Sequence, residues 1–455
     1  MPDKRSDAIS RLTLGNRALQ RGDYGAAHSQ FQQCLSLFSA LGDAIGKALT
    51  INNLGELAGL QGNYTKARLL FEESLEMRRA IGDRATIAWT LNNLGAVLGE
   101  LGEYEQARAR LDECLALRRE LGDRRGIAFA LFNLANVAAN QADYAAAQAL
   151  FAESLALRLE IGDPRGAAWS RLSLGNVAQA SGDYNTARAC YDESLAVLRA
   201  AADQDGVAWT LAGIGELLCQ QGFHAAARAR FDESLALFRT AGSKRGIAWT
   251  LNDCGDLACQ LSDYATALAC CDEALALARM SGNQRVTAWS LHSLGNAAVL
   301  NGDPATAQAD YEGSLEIRRE IGDRRGTAET TLALGLLALE AGDDDGERAR
   351  TLLKEGLTLA LDIGDHRLAA HGLAALAAAL AAAREHTAHP RAVQLAGAAS
   401  AVLDALKAQL DQPYRRLLEE VVSSLRGTLG QDAFSAAWDQ GWRMAAEDAR
   451  RLLDV

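Results

Sequence analysis

The sequence predicts an all-α fold, an α-solenoid of stacked helix–turn–helix repeats closed at its C-terminal end by a helical cap. Three observations predict it: residue types recur every 40 positions, each unit carries two apolar stripes at helical spacing, and turns containing glycine separate the stripes. A chain of 455 residues ordinarily divides into several globular domains, and an internal repeat turns it into one array instead. Hydrophobic residues make up 49% and charged residues 23%, the balance of a chain that packs a core rather than staying disordered.

The register is visible residue by residue. Gly15, Gly55, Gly95, Gly175, Gly215, Gly255, Gly295 and Gly335 stand at multiples of 40, with Ala135 in the one gap. Ala27, Ala67, Ala107, Ala147, Ala187, Ala227, Ala267 and Ala307 keep the same spacing, as do Tyr24, Tyr64, Tyr104, Tyr144, Tyr184 and Tyr264. A two-residue insertion in Asp343-Asp344-Asp345-Gly346 shifts the pattern to Leu353, Leu357 and Gly364-Asp365. Nine repeats and a final helix therefore fill 1–385, and 386–455 form a separate capping segment.

Within 84–123, Ile87, Leu91, Leu94 and Leu98 form one stripe and Ala107, Leu111 and Leu115 the other, each the mark of an amphipathic helix with a single buried face. Gly102-Glu103-Tyr104 makes the turn between the two helices. Gly122-Asp123 ends the second with a glycine able to take positive φ, followed by an N-capping acid. Gly95 and Ala107 fall where the helices cross, and a larger side chain there pushes them apart.

Leu94-Gly95, Tyr104, Ala107 and Leu111 match the tetratricopeptide repeat pattern with six residues added to its usual 34, and the 40-residue form resembles the repeats of kinesin light chains and Pins-type spindle adaptors. The resemblance covers about 1–385. It implies a right-handed α-solenoid whose first helices line a concave groove and whose second helices form the convex back. Function is not implied by fold, and rests on what lines the groove.

On that geometry one stripe of the first helices, starting at Leu49, Trp89, Phe129, Trp169, Trp209, Trp249 and Trp289, faces the groove. The rings either pack between neighbouring first helices or stand as a ladder of rigid, partly exposed anchors for a partner. Asn52, Asn53, Asn92, Asn93, Asn133, Asn136, Asn176, Asn252 and Asn296 follow on the same face, with His292 at a position held by asparagine in other repeats. An amide both donates and accepts, so a row of them suits the backbone of an extended peptide, as asparagines do in the peptide-binding solenoids this chain resembles. Trp89, Asn92, Asn93, Phe129, Asn133, Asn136, Trp169, Asn176, Trp209, Trp249, Asn252, Trp289 and His292 are the candidate binding residues.

Charge narrows the partner. Lys+Arg 46 against Asp+Glu 58 gives a net −12, which disfavours nucleic acid. In the windows 46–60, 86–100 and onward to 286–300 the only cations are Lys47 and Arg171, while Glu56, Glu100, Glu216, Asp253 and Asp256 are present. A groove so poor in cations does not clamp a C-terminal carboxylate and favours a neutral to basic segment with apolar anchors.

From 391 the pattern changes, with helices expected at about 391–409, 412–428 and 431–452, and with Leu425, Phe434 and Trp438 covering the open end of repeat nine. Phe434-x3-Trp438-x2-Gly441-Trp442-Arg443-Met444 resembles the C-terminal tail of bacterial signal-transducing NTPases and regulators that sense a stimulus with a repeat array. No membrane span or leader follows Met1-Pro2-Asp3-Lys4-Arg5, so a cytoplasmic protein is expected.

Nothing in the pattern supplies catalysis, a cofactor or a metal site. Gly42-Asp43-Ala44-Ile45-Gly46-Lys47-Ala48 is one residue short of a phosphate-cradling loop and carries Ala48 in place of Ser or Thr. His366, His371, His386 and His389 scatter, and no Cys/His metal spacing occurs. The eight cysteines, five of them between 219 and 271, sit in helical patterns as small buried hydrophobes and are expected reduced. The reading is a non-enzymatic interaction scaffold or sensor arm that holds an extended peptide or a partner's helix. The alternatives are a sensor of a sugar or similar metabolite within a bacterial signalling or transcription regulator, and a structural or self-assembling rod.

Overall fold

The computed structural model of the chain describes residues 4–20, 23–342, 346–382, 386–406, 408–411 and 413–444. The expected insertion at Asp343-Asp344-Asp345, and the expected helix beyond 444, lie outside the described residues. Among the described residues all regular structure is helical. The first helices of the hairpins are α1 (Lys4–Gln20), α3 (Ala44–Leu60), α5 (Arg84–Glu100), α7 (Arg124–Asn140), α9 (Pro164–Ala180), α11 (Gln204–Gln220), α13 (Lys244–Gln260), α15 (Gln284–Leu300), α17 (Arg324–Ala341) and α19 (His366–Ala381). Their partners are α2 (Tyr24–Leu41), α4 (Tyr64–Ile81), α6 (Tyr104–Glu120), α8 (Tyr144–Glu160), α10 (Tyr184–Ala200), α12 (His224–Ala241), α14 (Tyr264–Ser281), α16 (Pro304–Glu320), α18 (Glu347–Asp362) and α20 (His389–Leu406).

The hairpins form for the reasons the repeat pattern gives. At the helix crossing there is no room for a side chain: a Cβ on Gly215 would lie 2.5 Å from the Phe231 ring, and one on Gly95 2.5 Å from Leu111. Gly102 and Gly122 take φ of 80° and 67°, and Asp123 caps α7 by accepting from Gly126 N at 2.9 Å. Ala142, Ala202 and Ser262 hold the same left-handed turn without being glycine, at φ of 60°, 53° and 58°. A further periodic bond ties the two helices together. The Ser74, Ser154, Ser194, Ser234 and Ser314 hydroxyls each donate to a carbonyl of the first helix, of Ala48, Ala128, Ala168, Ala208 and Ala288. Cys34 and Cys114 fill that slot in their own repeats, with Sγ 3.3 and 3.1 Å from the Ala8 and Ala88 carbonyls. None of the eight cysteines is bridged, and Cys271 packs under Gly255 where other repeats place a ring or leucine.

The C-terminal segment is divided differently from the expectation. The final helix α19 pairs with α20, so the latter completes a tenth hairpin instead of opening the cap. The cap proper is α21 (Tyr414–Leu429), packed on α19, and α22 (Gln431–Trp442), packed on α20. At the second crossing backbone meets backbone, since a Cβ on Gly397 would lie 2.6 Å from the Trp438 carbonyl oxygen. Leu425 and Phe434 are buried in a core continuous with Leu353 and Leu357 of repeat nine, and Trp438 packs partly buried against it.

The superhelix is tight enough for its successive turns to touch. A Cβ on Gly102 would lie 2.6 Å from Ile321, and the turn at Gly62 approaches Ser281 and Lys244. Glu100, at the end of α5, meets Arg245 at 3.0 Å and accepts from Asn283 Nδ2 at 3.2 Å. The end of α20 and the segment after it continue the seam, with Leu406 against Gly182 and Gln409 against Gly222. The hairpin turns of the early repeats thus sit against the first-helix N-termini of repeats about five further on.

Candidate functional site

Closure of the seam turns the concave groove into a lumen of about 1860 Å³. One stripe of each first helix lines it, stepping three or four residues at a time: Arg165, Trp169, Ser173, Asn176 and Ala180 on α9, and Arg245, Trp249, Asp253, Asp256 and Gln260 on α13.

Trp169, Trp209, Trp249 and Trp289 line the lumen. Trp209, Trp249 and Trp289 form a chain of edge-to-face contacts, with ring centroids 5.8 and 5.0 Å apart. The Trp169 indole donates to Asp203 at 3.0 Å and that of Trp289 to Asp256 at 2.8 Å. The ladder therefore both packs between first helices and presents partly exposed rings to the interior. Trp89 and Phe129 are different. They do not line the lumen; each is about two-fifths exposed, beneath the guanidinium of Arg78 or Arg158.

The asparagines divide in the same way. Asn93, Asn133, Asn136, Asn176 and Asn296 line the lumen. Asn176 and Asn296 accept from the Tyr191 and Tyr311 hydroxyls, and Asn133 donates to Asn92. Asn92 itself does not line the lumen, and neither does Asn252. Asn52 and Asn252 are fully buried between first helices, accepting from Thr90 at 3.2 Å and Ser290 at 2.9 Å. Their slot lies about 100° around the helix from the next residue, which turns it from the lumen into the joint with the neighbouring repeat. His292, in this slot, is buried beside the lumen with Nδ1 3.2 Å from the Thr330 hydroxyl, and burial lowers it to about 4.

The expectation of a cation-poor groove is overturned. Arg165, Arg245, Arg285, Arg325 and Arg367 all reach the lumen. They occupy the second position of their helices; Arg165, Arg245 and Arg285 stand one residue upstream of the windows that suggested an absence of cations, and Arg325 and Arg367 lie beyond the last of those windows. There they look like solvated helix ends; the superhelix folds them inward. Four also stand at the seam, where Arg245, Arg285, Arg325 and Arg367 lie within electrostatic reach of Tyr64, Tyr104, Tyr144 and Tyr184 in turn. Arg245 and Arg285 lie over the rings of Trp209 and Trp249, at 4.9 and 5.3 Å from their centroids.

These arginines are already partnered. Arg165 pairs with Asp203, Arg245 with Glu100, Arg325 with Asp365 at 2.9 Å, and Arg367 with both Asp411 oxygens at 2.6 Å, while Arg285 donates to Asn140. Arg318 pairs with Glu329 at 2.9 Å. Burial alone would raise Glu329, but His292, Arg318 and Arg325 override it and hold the acid below its usual range. On the facing wall burial outweighs the cations: Arg325, Arg367 and Arg285 act on Glu216 and Arg318 on Asp256 without bringing either acid down to its usual range. Burial raises all three, Asp253 also through repulsion from Glu216 and Asp256. Asp256 is pushed up to about 7 despite hydrogen bonds from Ser293 and Trp289.

The tetratricopeptide repeat family matches residues 7–80, 86–160, 165–240, 206–280, 246–320 and 286–346, well over half of the chain. The chain belongs to the tetratricopeptide repeat family. Among solved structures, this repeat protein is similar to a Rap protein complexed with competence and sporulation factor, at 10% identity and a TM-score of 0.58, covering 79% of this chain and 99% of that one. It is also similar to the Rap conjugation gene regulator of the plasmid pLS20 in complex with the Phr* peptide, at 12% identity and a TM-score of 0.53, covering 69% and 95%. At such identities the likeness is one of fold. No curated protein sequence matches the chain. Among the described residues no helix is long and apolar enough to cross a membrane.

Proposed function

We propose that this tetratricopeptide repeat protein is a receptor that takes a short extended peptide into its lumen and acts through protein contacts rather than catalysis, as a scaffold or as the sensor arm of a bacterial regulator. The observation that carries the reading is the lumen itself. Its volume of about 1860 Å³ exceeds the roughly 1,000 Å³ at the upper end of single small-molecule sites, which favours a peptide over a lone sugar or metabolite. Along its wall Asn93, Asn136, Asn176 and Asn296 offer amide groups to a backbone, and Trp209, Trp249 and Trp289 offer rigid apolar surface to side chains. The pLS20 regulator, similar in fold, was solved with a peptide. Unbridged cysteines fit work in the cytoplasm. The carboxylates Glu216, Asp253 and Asp256 argue against a nucleic-acid strand, whose phosphates they would repel.

Tryptophan fluorescence during titration with pools of random hexapeptides tests this. A saturable change is expected with the wild-type chain and is lost in Asn136→Ala/Asn176→Ala at unchanged helical circular dichroism. Silence toward every pool, together with a raised melting temperature in a panel of sugars and metabolites, would refute it in favour of a metabolite sensor.

A further inference from the structure

The lumen's charges are unequally matched. Each cation named above is engaged by a protein partner, but the wall formed by α11 and α13 leaves acceptors open. Asp253 is 6% exposed, lines the lumen, and has no hydrogen-bond or ion-pair partner among the described residues. Asp256 stands one turn along the same face, and Glu216 holds the equivalent position one repeat earlier. A neutral group repeats the signature. Gln220, 8% exposed and also on the lumen wall, donates through Nε2 to Glu216 at 3.1 Å, while its Oε1 is buried without a partner. A buried acceptor without a donor costs free energy that a ligand's donor recovers.

The chemistry of that donor follows from what surrounds the site. Among the described residues no group of three or more acidic, histidine or cysteine side chains converges as a metal site does. The neighbouring wall is aromatic, from Trp249 and Trp289, whose rings meet at 5.0 Å. Carboxylates and an amide oxygen next to indole faces suit an organic cation with several N–H donors.

We infer that the wall of Glu216, Gln220, Asp253 and Asp256 is a binding site for a primary ammonium group carried by the lumen's ligand, either an amino terminus or a lysine side chain. The inference rests on the peptide reading for the source of the ammonium, but not for the site. It restores a basic ligand on different grounds from the sequence: the lumen holds many cations, and the protein's own acids, with Asn140 at Arg285, already engage them.

The test titrates the full chain with hexapeptide pools in four forms, with free or acetylated amino termini and with lysine present or replaced by norleucine, and with spermidine as a peptide-free probe. Acetylated, lysine-free pools are expected to bind about tenfold more weakly than amine-bearing ones, the loss of one charge-assisted hydrogen bond. Loss on acetylation alone names the amino terminus as the source, and loss on lysine replacement alone names the side chain. Asp253→Asn, nearly isosteric and unable to take up charge when an ammonium arrives, keeps the fold and loses the same factor for amine-bearing pools while binding the acetylated, lysine-free pool as the wild type does; Glu216→Gln gives a second reading. Spermidine binding that Asp253→Asn abolishes, without response to any pool, supports the ammonium site and overturns the peptide reading. Equal affinity for all four forms, Asp253→Asn without effect, or no response to pools or spermidine overturns the site.

Discussion

Asp256 makes the lumen sensitive to pH, with a sign fixed by its surroundings. Burial holds its folded pKa at about 7, against roughly 3.9 for an unfolded aspartate, so between these values the folded chain binds the extra proton. Its stabilising contribution is complete below the unfolded value and is lost as pH rises through about 7. A tenfold difference in proton affinity between the folded and unfolded chain is worth about 1.4 kcal/mol, so full shielding would remove about 2 kcal/mol between pH 5 and pH 7, where the group is half ionised; with the carboxyl partly open to the lumen, about half of that is expected. His292 and His371 work in the opposite direction. Both are lowered to about 4 by burial, so they contribute stability above about 6.5 that disappears as pH falls toward 4. The variant Asp256→Asn isolates the acid, because it keeps the hydrogen-bonding shape and cannot ionise. Melting temperature followed from pH 5 to pH 8 should fall more steeply in the wild type than in the variant, and the difference should flatten above pH 8. Parallel curves would refute the assignment of a raised pKa to this carboxyl.

Four shorter predictions address packing. Gly215→Ala places a methyl 2.5 Å from the Phe231 ring and should cost about 1–3 kcal/mol, read as a lowered melting temperature, while Gly427→Ala, with nothing within 4 Å, should gain about 1 kcal/mol from helix propensity. Ala202→Gly relieves a positive φ of 53° and should raise the melting temperature by the equivalent of about 0.5–1 kcal/mol. Ser234→Ala removes a buried hydroxyl that donates to the Ala208 carbonyl at 2.9 Å and should cost about 1 kcal/mol in chemical denaturation. Asp411→Asn breaks the two-oxygen contact with Arg367 and should increase hydrogen exchange at 408–411, where the cap segment is tied to the seam, while the α3 and α4 amides stay protected.

Much of the fold was legible because a 40-residue period is a local property. The crossing glycines, the turn glycines and the capping acids each act within one hairpin, and the structure uses them as the pattern says. The site was legible in part. Four of the six aromatic positions, and Asn93, Asn133, Asn136, Asn176 and His292, border the lumen, because a helical stripe fixes which side chains share a face. Asn92 and Asn252 were misplaced by one step around the helix, which moves a residue from the interior into the joint between repeats. Trp89 and Phe129 carry the right residue type, but they lie under arginines of the preceding or following second helices instead of on the lumen wall. The tenth hairpin was not legible because α20 lacks the periodic residues, and the core it shares with α19 is built from alanines, leucines and valine without the repeat's spacing.

The sequence by itself determined the unit: two helices, their crossing, their caps and the stripe each first helix turns inward, since all of these depend on residues a few positions apart. Only the tertiary structure decided that the units wind until turns such as Gly102 press on residues such as Ile321. That winding is the accumulation of small rotations over five repeats, to which no single residue corresponds. From it follow the lumen, the tyrosine and arginine seam, and the pairing that engages the arginines while leaving Asp253 without a partner among the described residues.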